Sequence, residues 1–487
     1  MDPTEQISGD AQKCIEDTTM KDFIKAVQNC GSSFCVGGHI LVQPDPQPLL
    51  QSQAPTSAVP PVTLRWDVPN HPPNALTIKF PLLDSQSEIF KEVLKACEPA
   101  TFGLGDKDVL NEEYRKAGKL DNTQFSVSLH PSDYGIIDTI AQTLLPSLVG
   151  KDRRADHRGV LAELYKMNSF KVNVFIKVYS GPGGKFKAHV DTPRSSSQFG
   201  SLVICLPSPF IGRNALLPKI SFQFLFFMAD PSKMSGGNLR ISHNGTTNYF
   251  NWSTLSPSSI QWAAFYSDCE HEIYEVLEGH RITLTYNLYF TSRVDATLQA
   301  FPATSPQIFP LFKVAQAMLQ NPNFLPNGGT LGFHCVHAYP HANEDTNDLM
   351  PYALKGMDCI VFSVFRELGL RPVARPVMED FPEYEDSQSD EEAPIGHGFH
   401  ETVVDEYEVE GSFEECQRLR NVWPLEQYTV HWINDTSRNT QLAFVGLAHG
   451  NQAELWYKYS SAAIFIEIPV MTPDKRGGVF ARLWAAS

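Results

Sequence analysis

The sequence predicts an α+β chain: a double-sheet β fold carried on a helical buttress, followed by a second strand-rich region. Three observations lead there. One-sided apolar spacing dominates between residues 83 and 167, as helices require. From Phe170 the hydrophobic period changes to two, the mark of half-buried strands. Short strands separated by Gly, Pro and Ser turns then follow one another to Phe290, the pattern of a sheet packed on a sheet.

Element by element, residues 1–61 read as a mostly disordered arm. Gln43 to Pro61 is rich in Pro, Gln and Ser and holds too little apolar surface to offset ordering entropy. The first compact unit spans 62–298. Its buttress, 83–167, contains helical patterns at Leu83–Cys97, Tyr134–Leu145 and Gly159–Met167, and Pro146 closes the second. Its strand core, 170–290, begins with Phe170, Val172, Val174, Ile176 and Val178 alternating with Lys171, Asn173 and Lys177. Strands are expected next at Ser201–Leu206, Leu239–Ser242, Ile260–Tyr266 and Arg281–Phe290. The stretch 213–235 looks foreign to this core, because it keeps neither period and Pro218 and Pro231 bracket its apolar part. It is expected to be an external excursion, serving as a lid over the pocket or a partner surface, or an intron translated by mistake. Residues 299–487 form the second region. Helices are predicted at Phe312–Gln320 and Asp358–Leu368, and strands at Thr330–His337, Gln427–Ile433, Thr440–Leu447 and Ala462–Pro469. An acidic loop lies at 379–392.

Composition narrows the class. The 487 residues are 42% hydrophobic, with a net charge of −16, which suits a soluble chain and argues against nucleic acid as a partner. No apolar run approaches the ~20 residues of a membrane span, and the acidic N-terminus does not read as a signal peptide. Nine scattered cysteines without a CxxC pair read as reduced thiols, so the expected location is cytoplasmic or nuclear.

The chemistry gathers in Tyr179-Ser-Gly-Pro-Gly-Gly-Lys-Phe-Lys-Ala-His189-Val-Asp191. His189 and Asp191, two apart on an extended chain, project to one side and can meet one metal. A distant third ligand would complete a two-histidine, one-carboxylate face with open positions on Fe(II), and His271 in Asp-Cys-Glu-His-Glu is the candidate. Ten residues later comes Arg281-Ile-Thr-Leu-Thr, with Arg281, Thr283 and Thr285 on one strand face, a pattern suited to gripping a carboxylate. A His334, His337, His341 group reads as a turn with satisfied histidines rather than a second metal site. Arg194 could reach a ligand or form a surface ion pair, and Cys205 and Cys269 read as packing.

Taken together, these motifs resemble the 2-oxoglutarate- and Fe(II)-dependent oxygenases, in their prolyl 4-hydroxylase-like branch. The resemblance is strongest over Lys171–Phe290. His-Val-Asp-Thr-Pro-Arg, Ile-Gln-Trp-Ala-Ala-Phe-Tyr-Ser-Asp-Cys-Glu-His-Glu and Glu-Gly-His-Arg-Ile-Thr-Leu-Thr-Tyr-Asn-Leu-Tyr are similar to large fungal members of that group. It implies a double-stranded β-helix, or jelly roll, with iron ligands His189, Asp191 and His271. Arg281, helped by Thr283 and Tyr179, would hold 2-oxoglutarate. The implied reaction uses O2, passes through a ferryl intermediate, releases succinate and CO2, and hydroxylates a prolyl residue or a small molecule. Two alternatives stay open: an inactive jelly-roll binding or scaffold protein, and a cupin-type metal enzyme that does not use 2-oxoglutarate.

Overall fold

The computed structural model describes residues 18–27, 33–43, 58–67, 75–82, 86–104, 107–121, 123–146, 158–163, 175–191, 195–212, 237–253, 257–292, 305–341, 350–377, 430–434 and 458–470. The 213–235 stretch, the acidic loop, Arg194 and the strand expected at Thr440–Leu447 lie outside them. Among the described residues no helix is long and apolar enough to cross a membrane.

The chain is strand-rich with few helices, and its first unit is consistent with a jelly-roll-like fold. In chain order its main strands are β1 (Cys35–Val42), β2 (Phe175–Ser180), β3 (Gly184–His189), β4 (Gln198–Cys205), β5 (Leu239–His243), β6 (Ser259–Tyr266) and β7 (Glu270–Ser292). The organiser is β7, continuous over 23 residues. Its first half pairs with β3 on one edge and with β5 and Phe210–Gly212 on the other. Its second half pairs with β2 and Arg158–Glu163 on one edge and with β4 on the other. Both β4 and β6 are buried at every residue, so they form the floor of the core rather than a two-sided strand. Helices α1 (Ser87–Ala96) and α2 (Ile136–Leu144) pack their apolar faces on it through Phe90 and Val93 and through Ile136, Ile140 and Leu144.

Two local expectations differ from what is seen. Residues 158–163, expected to be helical, form a strand whose Arg158–Glu163 pairs with Ser292–Asn287 of β7. Helix propensity is a weak prior, and a long unpaired edge of β7 overrides it. The expected arm is partly built in. β1 pairs with β6 over seven residues, from Cys35 opposite Phe265 to Leu41 opposite Ser259. Helix 18–27 places Phe23 and Val27 in the C-terminal core, with the Phe23 ring 5.7 Å from Phe365.

The flanks of the 213–235 stretch have a telling register. Phe210 and Ile211 face Gly279 and Glu278 of β7. Leu239 and Ile241 continue along the same edge opposite Ile273 and His271. Between them Gly237 N–H donates to the Tyr274 carbonyl at 3.0 Å. The flanks therefore behave as one strand in which the chain leaves after Gly212 and re-enters at Gly237.

In the C-terminal region, β8 (Gly329–His334) and β9 (Lys458–Ile468) pair antiparallel, flanked by Val373–Val377, Tyr339–His341 and Val430–Trp432. Helices α3 (Pro310–Gln320) and α4 (Gly356–Glu367) cover that sheet. A buried ionic junction ties it to the first unit. Asp268, between β6 and β7, accepts from Lys355 Nζ at 2.9 Å, from the Ala338 N–H at 3.0 Å, and pairs with His337 Nδ1 at 3.0 Å and His243 Nε2 at 3.3 Å. Burial would raise this carboxyl's pKa, but Lys355 and His337 hold it well below the usual range. His243, Asp268 and His337 are close enough to cup a cation, and Lys355 already supplies one. His334 instead stacks on Trp432 at 3.8 Å. Arg158 adds a second tie, donating to the carbonyls of Tyr352 and Leu354 at 2.8 and 2.9 Å.

Candidate metal centre

His189 ends β3 and stands opposite His271, the second residue of β7; Asp191 follows two residues on. Antiparallel pairing thus brings together residues 82 positions apart. One ligand atom from each of His189, Asp191 and His271 lies within 4.8 Å of the others, and all three residues are buried. His271 Nε2 is 3.7 Å from Asp191 Oδ1, and the two imidazole centroids are 4.1 Å apart.

Surrounding groups set the orientation of each donor. His189 Nδ1–H donates to the Lys187 carbonyl at 2.8 Å, and His271 Nδ1–H to the Cys269 carbonyl at 3.2 Å. Both rings then present the Nε2 lone pair inward, the tautomer a metal needs. Ser201 Oγ–H donates to Asp191 Oδ2 at 2.5 Å and leaves Oδ1 facing His271. Burial, and for His189 the neighbouring His271, pushes the pKa of both imidazoles down and keeps them neutral. Phe186 stacks on His189 at 3.5 Å and Phe265 lies 4.6 Å from His271, so the donors sit against apolar walls. Two neutral histidines and one carboxylate on one side of a cavity fit a first-row divalent metal such as Fe(II).

The cavity over these donors is also lined by Lys177, Tyr179, Ser201, Thr283 and Thr285, with Val203, Leu239 and Ile273 as apolar wall. Arg281 stands behind Tyr179. Its guanidinium is fully buried, faces the Tyr179 ring at 5.4 Å and the Trp252 ring at 4.9 Å, and none of its three nitrogens has a hydrogen-bond acceptor among the described residues. Burial drags its pKa down, against weak help from Cys205 and Tyr179. A buried charge without an acceptor is costly, so this one fits an anionic ligand: a carboxylate takes a guanidinium fork bidentately. Among the described residues Thr283 Oγ1–H donates to the Lys177 carbonyl, at a long 3.5 Å.

His189, Asp191, His271, Tyr179 and Thr283 therefore line one cavity, and Arg281 lies against the Tyr179 ring. Sequence reasoning missed Lys177, Arg115 and Ser201. Arg115 is buried over the Phe186 ring at 4.4 Å and donates to the Thr101 carbonyl. Lys177 had a signal: two residues from Tyr179, it shares that residue's face.

No family model matches the chain, and no curated protein matches it. Among solved structures the chain is similar to a Pseudomonas putida prolyl-4-hydroxylase at 15% identity and a TM-score of 0.21, covering 43% of this chain and 84% of that one. It is also similar to a Trichoplax adhaerens prolyl hydroxylase in complex with a hypoxia inducible factor oxygen degradation domain peptide fragment, at 12% identity and a TM-score of 0.24, covering 58% and 94%. Scores this low decide nothing, so the reading rests on the site's own atoms.

Proposed function

We propose that this chain is an Fe(II)- and 2-oxoglutarate-dependent dioxygenase that hydroxylates a prolyl residue or a small molecule, with release of succinate and CO2. The observation that carries the reading is the acceptor-less, fully buried Arg281 guanidinium beside a His–Asp–His face. A metal site alone would fit many enzymes; a waiting anion site next to it narrows the ligand to one that meets both.

His189, Asp191 and His271 would hold the iron, which when bound supplies O2 activation and oxidative decarboxylation of the oxoacid. Arg281, with Tyr179 and Thr283, would fix the distal carboxylate and so the orientation of the oxoacid head. Phe186, Leu239, Phe265 and Ile273 exclude water from the donors, which strengthens each charged contact. Ser201 donates to Asp191 Oδ2 and so fixes the orientation of the carboxylate, with Oδ1 toward His271.

The test is anaerobic loading of purified protein with Fe(II), addition of 2-oxoglutarate, then O2 with prolyl peptides and small-molecule pools. Succinate formed in an iron-dependent reaction supports the reading. Iron uptake with no succinate under any condition refutes it.

A further inference from the structure

One cation lines the cavity, and two buried arginines, Arg115 and Arg281, lie close enough to repel it. Lys177 lines the cavity with the three metal-ligating residues. The charged groups that act on it are Asp191, an attraction, and Arg115 and Arg281, both repulsions. Among the described residues the groups that act on Arg281 are Cys205 and Tyr179, with no carboxylate among them. Asp191, the carboxylate at hand, is committed to Ser201 and to the metal face. By surface area Lys177 is half-buried, yet the packing around its ammonium and the two guanidiniums pull its pKa down to about 7. Neighbouring buried cations repel each other until an anion is bound between them.

Position says what the anion touches. Lys177 and Tyr179 share one face of β2, and Lys177 stands directly across from Thr283 of β7. Lys177, Tyr179, Thr283 and Thr285 make one polar wall of the cavity, while Arg281 is set back behind the Tyr179 ring. The wall cation is thus the lysine.

We infer that Lys177 is a ligand-binding residue of this cavity, a second cation that with Arg281 holds the distal carboxylate of a dicarboxylate 2-oxoacid. The inference rests on the proposed function and adds one residue to it: Lys177 as a second contact for the distal carboxylate. An oxoacid ending in methyl satisfies the metal but leaves Lys177 and Arg281 without an acceptor; one ending in carboxylate satisfies both.

The experiment uses the full chain loaded anaerobically with Fe(II). 2-Oxoglutarate and 2-oxopentanoate, which share the oxoacid head and differ in the distal carboxylate, are titrated by the iron-to-oxoacid charge-transfer absorption. Lys177→Met is expected to weaken 2-oxoglutarate binding by about 10-fold or more, the loss of one charge-assisted contact, with 2-oxopentanoate affinity and iron stoichiometry unchanged. Lys177→Arg is expected to restore most of the loss, which a merely structural lysine would not require. If Lys177→Met does not retain iron, Lys177→Gln is measured in its place. A variant that binds 2-oxoglutarate as the wild type does, or loses both oxoacids equally, overturns the inference and leaves the proposed function standing. A wild type that takes up iron and shows no absorption change with either acid overturns both.

Discussion

Replacing Arg281 by Met separates a ligand-binding arginine from a structural one, because the two predict opposite stability effects. The substitution keeps an unbranched stem and removes three buried nitrogens that have no acceptor. Left unsatisfied, the guanidinium as a whole costs about 1–3 kcal/mol, whereas the contacts with the Trp252 and Tyr179 rings together return about 0.5–2 kcal/mol. These terms oppose, so the unliganded variant is expected to stay within roughly 2 kcal/mol of wild type. Breaking a satisfied buried ion pair would cost about 3–5 kcal/mol. Ligand binding tells the other half. Loss of a bidentate carboxylate contact worth about 3 kcal/mol weakens 2-oxoglutarate about 100-fold. At a concentration about 100 times the wild-type Kd, ligand stabilises wild type by about 2.7 kcal/mol and the variant by about 0.4 kcal/mol. Urea unfolding of anaerobic, iron-loaded protein with and without 2-oxoglutarate reads both quantities. A variant destabilised by more than about 3 kcal/mol that keeps the full ligand-induced gain refutes the reasoning.

Four further outcomes follow. Asp191→Ala is expected to remove bound iron, measured by metal analysis, with the far-UV spectrum unchanged, since the donor set loses its one carboxylate. Stability should fall with acid: burial holds His337 down to about 4, below the ~6.5 of an unfolded histidine. That contribution is whole above pH ~6.5 and is lost towards pH ~4, by up to ~1.4 kcal/mol per pH unit as the unfolded chain alone takes the proton; urea midpoints for wild type and His337→Gln check it, the variant showing the shallower slope. Deleting 213–236 to join Gly212 to Gly237 should preserve folding and iron binding, because both flanks already run along one edge of β7; loss of iron binding in a folded deletion would count against a simple insertion. Gly279→Ala should cost about 2–4 kcal/mol in thermal or urea unfolding, since its φ of 75° is strained for alanine and a Cβ there would press on the Pro209 carbonyl.

Much of the strand core was legible because its chemistry is local. His-X-Asp, Arg-X-Thr-X-Thr and the period-two runs are written over a few residues, and antiparallel pairing did the rest. What escaped is non-local or two-sided. Lys177 looked like the wet side of a half-buried strand, yet Ile176 and Val178 are buried on one face and the other face turns to the cavity. On a strand covered on both sides, polarity marks the site, not solvent. Parity alone would have corrected this, since Tyr179 was already assigned inward. Residues 158–163 carry helix formers, and only the distant edge of β7 makes them a strand. The junction of Asp268 with His243, His337 and Lys355 joins residues up to 112 positions apart and has no spacing signature. The same holds for Cys35–Val42, whose two glycines and polar context read as linker until β6 offers an edge.

That both halves of the candidate site ride on one strand explains how the fold can hold them to fixed separation. β7 carries His271 near its start and Arg281 at its middle, and it changes sheets between them. Up to Gly279 its partners are β3, β5 and Phe210–Gly212; from His280 onward they are β2, β4 and Arg158–Glu163. A straight ten-residue run would carry the arginine about 33 Å from the histidine, too far for one small ligand to meet both. The corner at Gly279 breaks that straight path. β2 and β3 make the same turn as a pair, joined through Gly181 and Gly183, with Gly183 N–H donating to the Val276 carbonyl at 2.9 Å and Gly181 N–H to the Gly279 carbonyl at 3.0 Å. Tyr179 and His189 are thereby brought round the same bend as Arg281 and His271. The ten-residue spacing that recurs in both halves, 179 to 189 and 271 to 281, is thus the length of one shared corner in two paired strands. Backbone hydrogen bonds across that corner thus fix the spacing of the two halves of the candidate site, so a substitution at Gly279 is expected to disturb both halves together, whereas one at a single donor is expected to leave the corner in place.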